Sequence, residues 1–160
     1  MRPIWLQRAA NGLGGGLFIA LFVVFITQIT ARFAFNKPLA WTDEAAVILY
    51  VWIILFAAAV VVPEREHVAF DLVWNWASRR TRQAMKIAGN LLVGALALSA
   101  IPATWDYVRF MAREGTPVLG VPFMWVFMPF VVLLVALVIR ALVNVWGALQ
   151  GRGLETDLQL

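Results

Sequence analysis

Two short segments concentrate the residues able to do chemistry. Trp41-Thr42-Asp43-Glu44 sets a hydroxyl beside two carboxylates, and Glu64-Arg65-Glu66-His67-Val68-Ala69-Phe70-Asp71 gathers three acids around the one histidine of the chain. Paired carboxylates can relay protons or hold a cation, and an imidazole among acids can serve as a base or a metal ligand. Neither segment completes such a site. A single His with scattered carboxylates is not a ligand set for a metal, and a bis-His haem is excluded outright. The absence of Cys removes disulfides, thiolate catalysis and Cys-bound metals.

The elements that would position these residues are legible from composition. Of 160 residues, 62% are hydrophobic and 14% charged, against about 25% charged in an ordinary soluble domain. A chain this short hides only roughly two thirds of its surface on folding, so the excess apolar surface needs lipid as solvent. Four stretches carry no Asp, Glu, Lys, Arg or His: Leu13 to Ala31, Ala45 to Val62, Ile87 to Trp105, and Val121 to Ile139. Each is 18 or 19 residues long. As helices they would reach about 27–29 Å, close to the hydrocarbon thickness of a bilayer. The runs are continuous rather than alternating, so they read as helices and not as barrel strands. Eight Trp and eleven Phe suit two aromatic interface belts. The first run exceeds the core of a signal peptide and no small-x-small cleavage site follows Thr30, so it reads as an uncleaved anchor.

Charge sets the orientation. With four spans, the two ends and the middle loop share one side. That side holds Arg2, Arg8, Arg65, Arg79, Arg80, Arg82, Lys86, Arg140 and Arg152; the other holds Arg32, Lys37, Arg109 and Arg113. The asymmetry places both termini and the middle loop in the cytoplasm, and it accounts for the net charge of +4 without nucleic acid as a partner. In the middle loop, Val68, Leu72 and Trp76 recur every four residues. This spacing predicts a short amphipathic helix over about 67–78 on the cytoplasmic interface. Trp74 and Trp76 would sit at headgroup depth, and Arg79, Arg80 and Arg82 would meet anionic lipid heads. The competing reading is a polar connector whose Trp residues pack on neighbouring spans.

What the spans lack is as informative. Ion-coupled carriers need polar or ionisable groups at mid-membrane. Here the span centres are apolar; Thr27, Gln28, Tyr50 and Asn90 lie toward span ends, and Ser99, Pro102 and Pro129 complete the short inventory. Ser99 has no base, because His67 falls near the opposite face, so a catalytic serine is not expected. At the outer start of span two, Thr42 is an expected N-cap, with Asp43 and Glu44 at the positive end of the helix dipole. Alternatively, Asp43 or Glu44 pairs with Arg32 across the outer loop or with a partner chain. The Glu64–Asp71 segment reads as a solvated turn or as a docking point for a partner's cytoplasmic loop. Gly12, Gly14, Gly15 and Gly16 permit close helix approach or a flexible entry to the membrane, and Ala57-Ala58-Ala59 is the better packing candidate.

The stretch Arg32-Phe33-Ala34-Phe35-Asn36-Lys37-Pro38-Leu39-Ala40-Trp41-Thr42-Asp43-Glu44 resembles the first outer loop of the small permease subunits of tripartite ATP-independent periplasmic (TRAP) transporters. Trp52, Ala57-Ala58-Ala59, Arg65-x-His67-Val68-x-x-Asp71 and Pro117-x-Leu119-Gly120-x-Pro122 continue the pattern, and the resemblance covers about residues 12–145. Phe33, Asp43, Ala58 and Phe70 depart from it, standing where Tyr, Glu, Gly and a small or polar residue are usual.

The resemblance implies a scaffold subunit of a sodium-driven importer of organic acids. Its partners would be a large multi-span permease subunit, which carries the sodium and substrate sites, and a periplasmic substrate-binding protein. The expectation is therefore an all-α integral membrane protein that is not an enzyme and holds no cofactor. A single four-helix domain would span residues 1–150, with a polar tail over 151–160. Arg32, Trp41, Asp43, Glu44, Trp52, Arg65, His67, Asp71 and Pro122 are the candidate subunit or structural contacts. The rival readings are the small four-span subunit of a tripartite tricarboxylate transporter and a membrane anchor of another complex.

Overall fold

The computed structural model describes residues 4–61 and 78–150. Its helices are α1 (Ile4–Ala34), α2 (Ala40–Phe56), α3 (Arg79–Phe110) and α4 (Phe123–Leu149). A π-helical turn, Ala57–Val61, continues α2, and a 3₁₀ turn, Met111–Arg113, ends α3. Among the described residues, four stretches are long and apolar enough to cross a membrane: Gln7–Ala34, Ala40–Val60, Arg79–Arg113 and Phe123–Leu149. The described fold is four membrane-spanning helices. The expected helix over 67–78 lies almost wholly outside the described residues, as do Arg65, His67, Asp71, Trp74, Trp76 and the tail 151–160.

The helices overrun the uncharged stretches that announce them. α1 begins nine residues before Leu13, α3 eight before Ile87, and α4 ends ten after Ile139. Charge marks where a chain leaves hydrocarbon, not where its backbone stops being helical. Long basic side chains at a span end reach the interface while the helix continues. Arg79, Arg80 and Arg82 are accordingly placed in the first turn of α3. Ser78 caps that helix: the Thr81 backbone N–H donates to its Oγ at 3.3 Å, and the two hydroxyls lie 2.9 Å apart.

Thr42 is not an N-cap. α2 starts two residues earlier, with extended Leu39 in the capping position. Thr42 is fully buried, and its hydroxyl donates to the Leu39 carbonyl at 2.6 Å. The preceding turn explains the shift. Asn36 takes a left-handed conformation (φ 51°), which Asn tolerates better than most residues, and the Lys37 N–H closes on the Ala31 carbonyl at 3.0 Å. Pro38 follows, and the chain re-enters a helix at once.

The chain divides into two compact units: Met1–Val62 with Ala103–Leu133, and Pro63–Pro102 with Leu134–Leu160. In the first, α1 packs on α2 and on the π-helical turn, with Ala31, Ala46 and Ala59 buried. Phe127 stacks on Phe123 (ring centroids 6.0 Å apart) and lies 5.6 Å from Tyr107. In the second, Ala97, Ala141 and Ala148 are buried. A side chain on Gly94 would place its Cβ 2.8 Å from that of Ala141, so the contact requires glycine. Between transmembrane helices apolar burial gives no net drive, and close approach of small residues supplies the packing instead. One turn away along the same seam, the Asn144 amide donates to Asn90 Oδ1 at 3.0 Å, and further along it Gln83 donates to the Ala148 carbonyl at 2.8 Å.

Candidate functional site

The polar residues of the first unit converge where α2 begins. The loop after α3 sets the frame. Gly115 bridges to Pro122, Thr116 N–H donates to the Val121 carbonyl (2.9 Å), and Gly120 N–H closes on the Thr116 carbonyl (3.0 Å). Gly120 sits at φ 64°, a conformation glycine adopts without the steric cost a Cβ would bring. Buried Thr116 braces the loop again by accepting the Val121 N–H on its hydroxyl at 3.1 Å. This geometry leaves the N–H groups of Val118 and Leu119 aimed outward, side by side.

Glu44 fills that pair. Its Oε1 accepts from Val118 N–H at 2.8 Å and its Oε2 from Leu119 N–H at 2.9 Å. The Thr116 side chain is a further hydrogen-bonding neighbour of the same carboxylate. Consecutive backbone N–H groups form an anion cradle, and here the anion is a side chain of the protein itself. The neighbouring acid is engaged too: the Gln28 side-chain amide of α1 donates to Asp43 Oδ1. The expected pairing of Asp43 or Glu44 with Arg32 does not form; Arg32 is exposed and makes no ion pair with either acid. Backbone donors win because the loop presents two of them pre-aligned, whereas an exposed Arg must be held still to compete.

A third tie runs from α2 to α4. Pro129, buried four residues beyond Trp125, has no N–H, so the Trp125 carbonyl lacks its helical donor. The indole N–H of Trp52 donates to that carbonyl at 3.1 Å. Neighbouring side chains commonly re-satisfy backbone groups that a proline frees in a membrane helix. Trp41 stands beside the cluster, partly exposed. Pro122 holds the bridge to Gly115 and so closes the loop that receives Glu44.

Thus Asp43, Glu44, Trp52 and Pro122 are brought into one framework, while Arg32 stays outside its bonds. Read along the chain, Gln28 is marked only as a polar residue near a span end, and Thr116 only by the turn signal Gly115-Thr116-Pro117. The arrangement is a clasp. It joins the Trp-Thr-Asp-Glu segment to the Pro-x-Leu-Gly-x-Pro segment. No group of three or more His, Cys, Asp or Glu suited to a metal ion occurs among the described residues.

A match to a known family spans this framework. A family model described as the DctQ component of tripartite ATP-independent periplasmic transporters matches residues 21–151. The sialic acid TRAP transporter permease protein SiaT of Haemophilus influenzae is 35% identical over 89 residues, 56% of this chain and 14% of that protein. The C4-dicarboxylate TRAP transporter small permease protein DctQ of Vibrio cholerae serotype O1 is 24% identical over 114 residues, 67% of this chain and 49% of that protein. The chain therefore spans a small part of the first relative and about half of the second.

Proposed function

Because this chain belongs to the family of DctQ components of tripartite ATP-independent periplasmic transporters, we propose that it is the non-catalytic scaffold of a sodium-driven importer of organic acids. As a small permease component, it is a multi-pass protein of the bacterial inner membrane. In this reading a large multi-span permease subunit holds the sodium and substrate sites, and a periplasmic binding protein delivers the substrate. Both termini of the small component are cytoplasmic, so the Glu44 clasp faces the periplasm. The chain binds no cofactor.

One observation carries this reading. The acids at the head of α2 are committed to bonds within the chain, and the span centres offer no carboxylate to replace them as an ion or proton carrier. Polar groups that serve as ties between helices suit a fixed scaffold. The apolar faces left open, among them Phe18, Ile19 and Phe22 on α1 and Leu91, Leu92 and Leu96 on α3, suit lipid and a larger membrane partner. The Haemophilus relative, in which the matching stretch is 14% of a permease, accords with a minor share of a larger assembly.

Affinity purification of the tagged chain from its native membrane tests the proposal. A multi-span permease should co-purify in stoichiometric amount. Recovery of the chain as a monomer or self-oligomer alone would contradict it.

A further inference from the structure

Where α1 gives way to α2, a groove of about 490 Å³ opens on the surface of the first unit. Ile26, Ala31, Phe35 and Leu39 form its apolar wall, Thr27 and Thr30 add hydroxyls, and Lys37 completes the lining. Among the described residues, no carboxylate lines it. The Thr27 hydroxyl is spent on the Val23 carbonyl at 2.8 Å, leaving Thr30 and Lys37 as the polar groups free to meet a ligand. Lys37 is not on a loose tip. Its backbone N–H is tied to the carbonyl of Ala31, another lining residue, at 3.0 Å, and left-handed Asn36 fixes the turn before it.

The depth matters as much as the composition. Lys37 follows the span Gln7–Ala34 by three residues, which brings it to headgroup depth in a bilayer crossed by that span, and Ile26 lies about 12 Å below Ala34 along the helix axis. An ammonium above an apolar slot, with the Thr30 hydroxyl inside it about 6 Å below Ala34, suits a phosphodiester head on the ammonium with its glycerol ester and acyl chain beneath. With one cation and no acid in the lining, a net-anionic head is matched, whereas the ammonium of a zwitterionic head finds no partner.

We propose that this groove is a binding site for one anionic phospholipid, its phosphate on Lys37, its glycerol ester on Thr30 and its acyl chain against Ile26 and the apolar wall. The proposal goes beyond the scaffold role and stands whether or not that role is correct.

Native mass spectrometry of the full-length detergent-solubilised chain tests it, with dioleoylphosphatidylglycerol, dioleoylphosphatidylcholine or glycerol phosphate as probes. The wild-type chain should retain one phosphatidylglycerol more tightly than phosphatidylcholine and should not retain glycerol phosphate, which cannot use the apolar wall. Lys37→Ala should lower phosphatidylglycerol affinity about fivefold, the effect of one basic residue near an anionic surface, and Lys37→Arg should restore it. Thr30→Val should weaken binding without altering the far-ultraviolet circular dichroism spectrum. Equal retention of phosphatidylglycerol by Lys37→Ala and wild type would overturn the site. So would equal retention of the two lipids by the wild type.

Discussion

Replacing Trp52 by Phe removes a hydrogen bond whose need is created by a proline on another helix. Phe keeps an aromatic body in place and deletes the indole N–H that reaches the Trp125 carbonyl. That carbonyl has no helical donor, because Pro129 occupies the donor position. An acceptor left without a partner away from water, as inside a bilayer, costs about 1–3 kcal/mol. Hydrogen bonds between membrane helices average about 0.6 kcal/mol. The structure therefore predicts a loss of about 1 kcal/mol for Trp52→Phe, roughly a fivefold change in the unfolding equilibrium. In a Pro129→Ala background, the backbone N–H restored at that position would serve the Trp125 carbonyl. The Trp52 indole should then become nearly dispensable, and the Trp52→Phe cost should shrink to about a few tenths of a kcal/mol. The assay is equilibrium unfolding of the four proteins of this cycle by sodium dodecyl sulfate in mixed micelles, followed by circular dichroism. The same Trp52→Phe cost in both backgrounds would refute the coupling and with it the proposed reason for the tie from α2 to α4.

Other perturbations probe the remaining contacts. Glu44→Ala should release the loop after α3. Amide hydrogen exchange at Val118 and Leu119 should accelerate, while Arg32→Ala leaves those amides unchanged. Gly120→Ala should destabilise the chain by about 1–2 kcal/mol in the same unfolding assay, the cost of a Cβ in the left-handed region. Gly94→Ala should destabilise it by about 1–3 kcal/mol, since a Cβ 2.8 Å from that of Ala141 must push the helices apart. Adding Ala141→Gly should recover most of that loss.

The four spans are legible because lipid imposes one requirement on every residue inside it, and uncharged runs of 18 or 19 residues meet that requirement visibly. Helix ends are less legible. Arg79 to Lys86 look like loop when charge is the guide, yet Ser78 starts a helix there that the basic residues continue. The clasp shows a second gap. Asp43 and Glu44 stand out as acids needing partners, and spacing nominates Arg32. The true partners of Glu44 are backbone N–H groups, which every residue but proline has, so side-chain types do not single them out. Their alignment depends on left-handed Gly120 and on Thr116 bracing the loop. The Gly-Thr-Pro and Gly-Val-Pro punctuation marks a turn without revealing which amides it leaves free. Pro129 is the stronger clue: a proline inside a span leaves a carbonyl in want of a donor, four residues back, and Trp52 is the donor.

In the proposed assembly this chain supplies framework and leaves ion coupling to its partner. Reconstitution into liposomes tests that division most directly, with inward sodium gradients and organic-acid uptake measured for the purified chain alone and for the chain together with its large permease partner and binding protein. The lone chain should show no sodium-dependent uptake, and the full assembly should accumulate the substrate. Sodium-driven accumulation by the lone chain would contradict the division of labour.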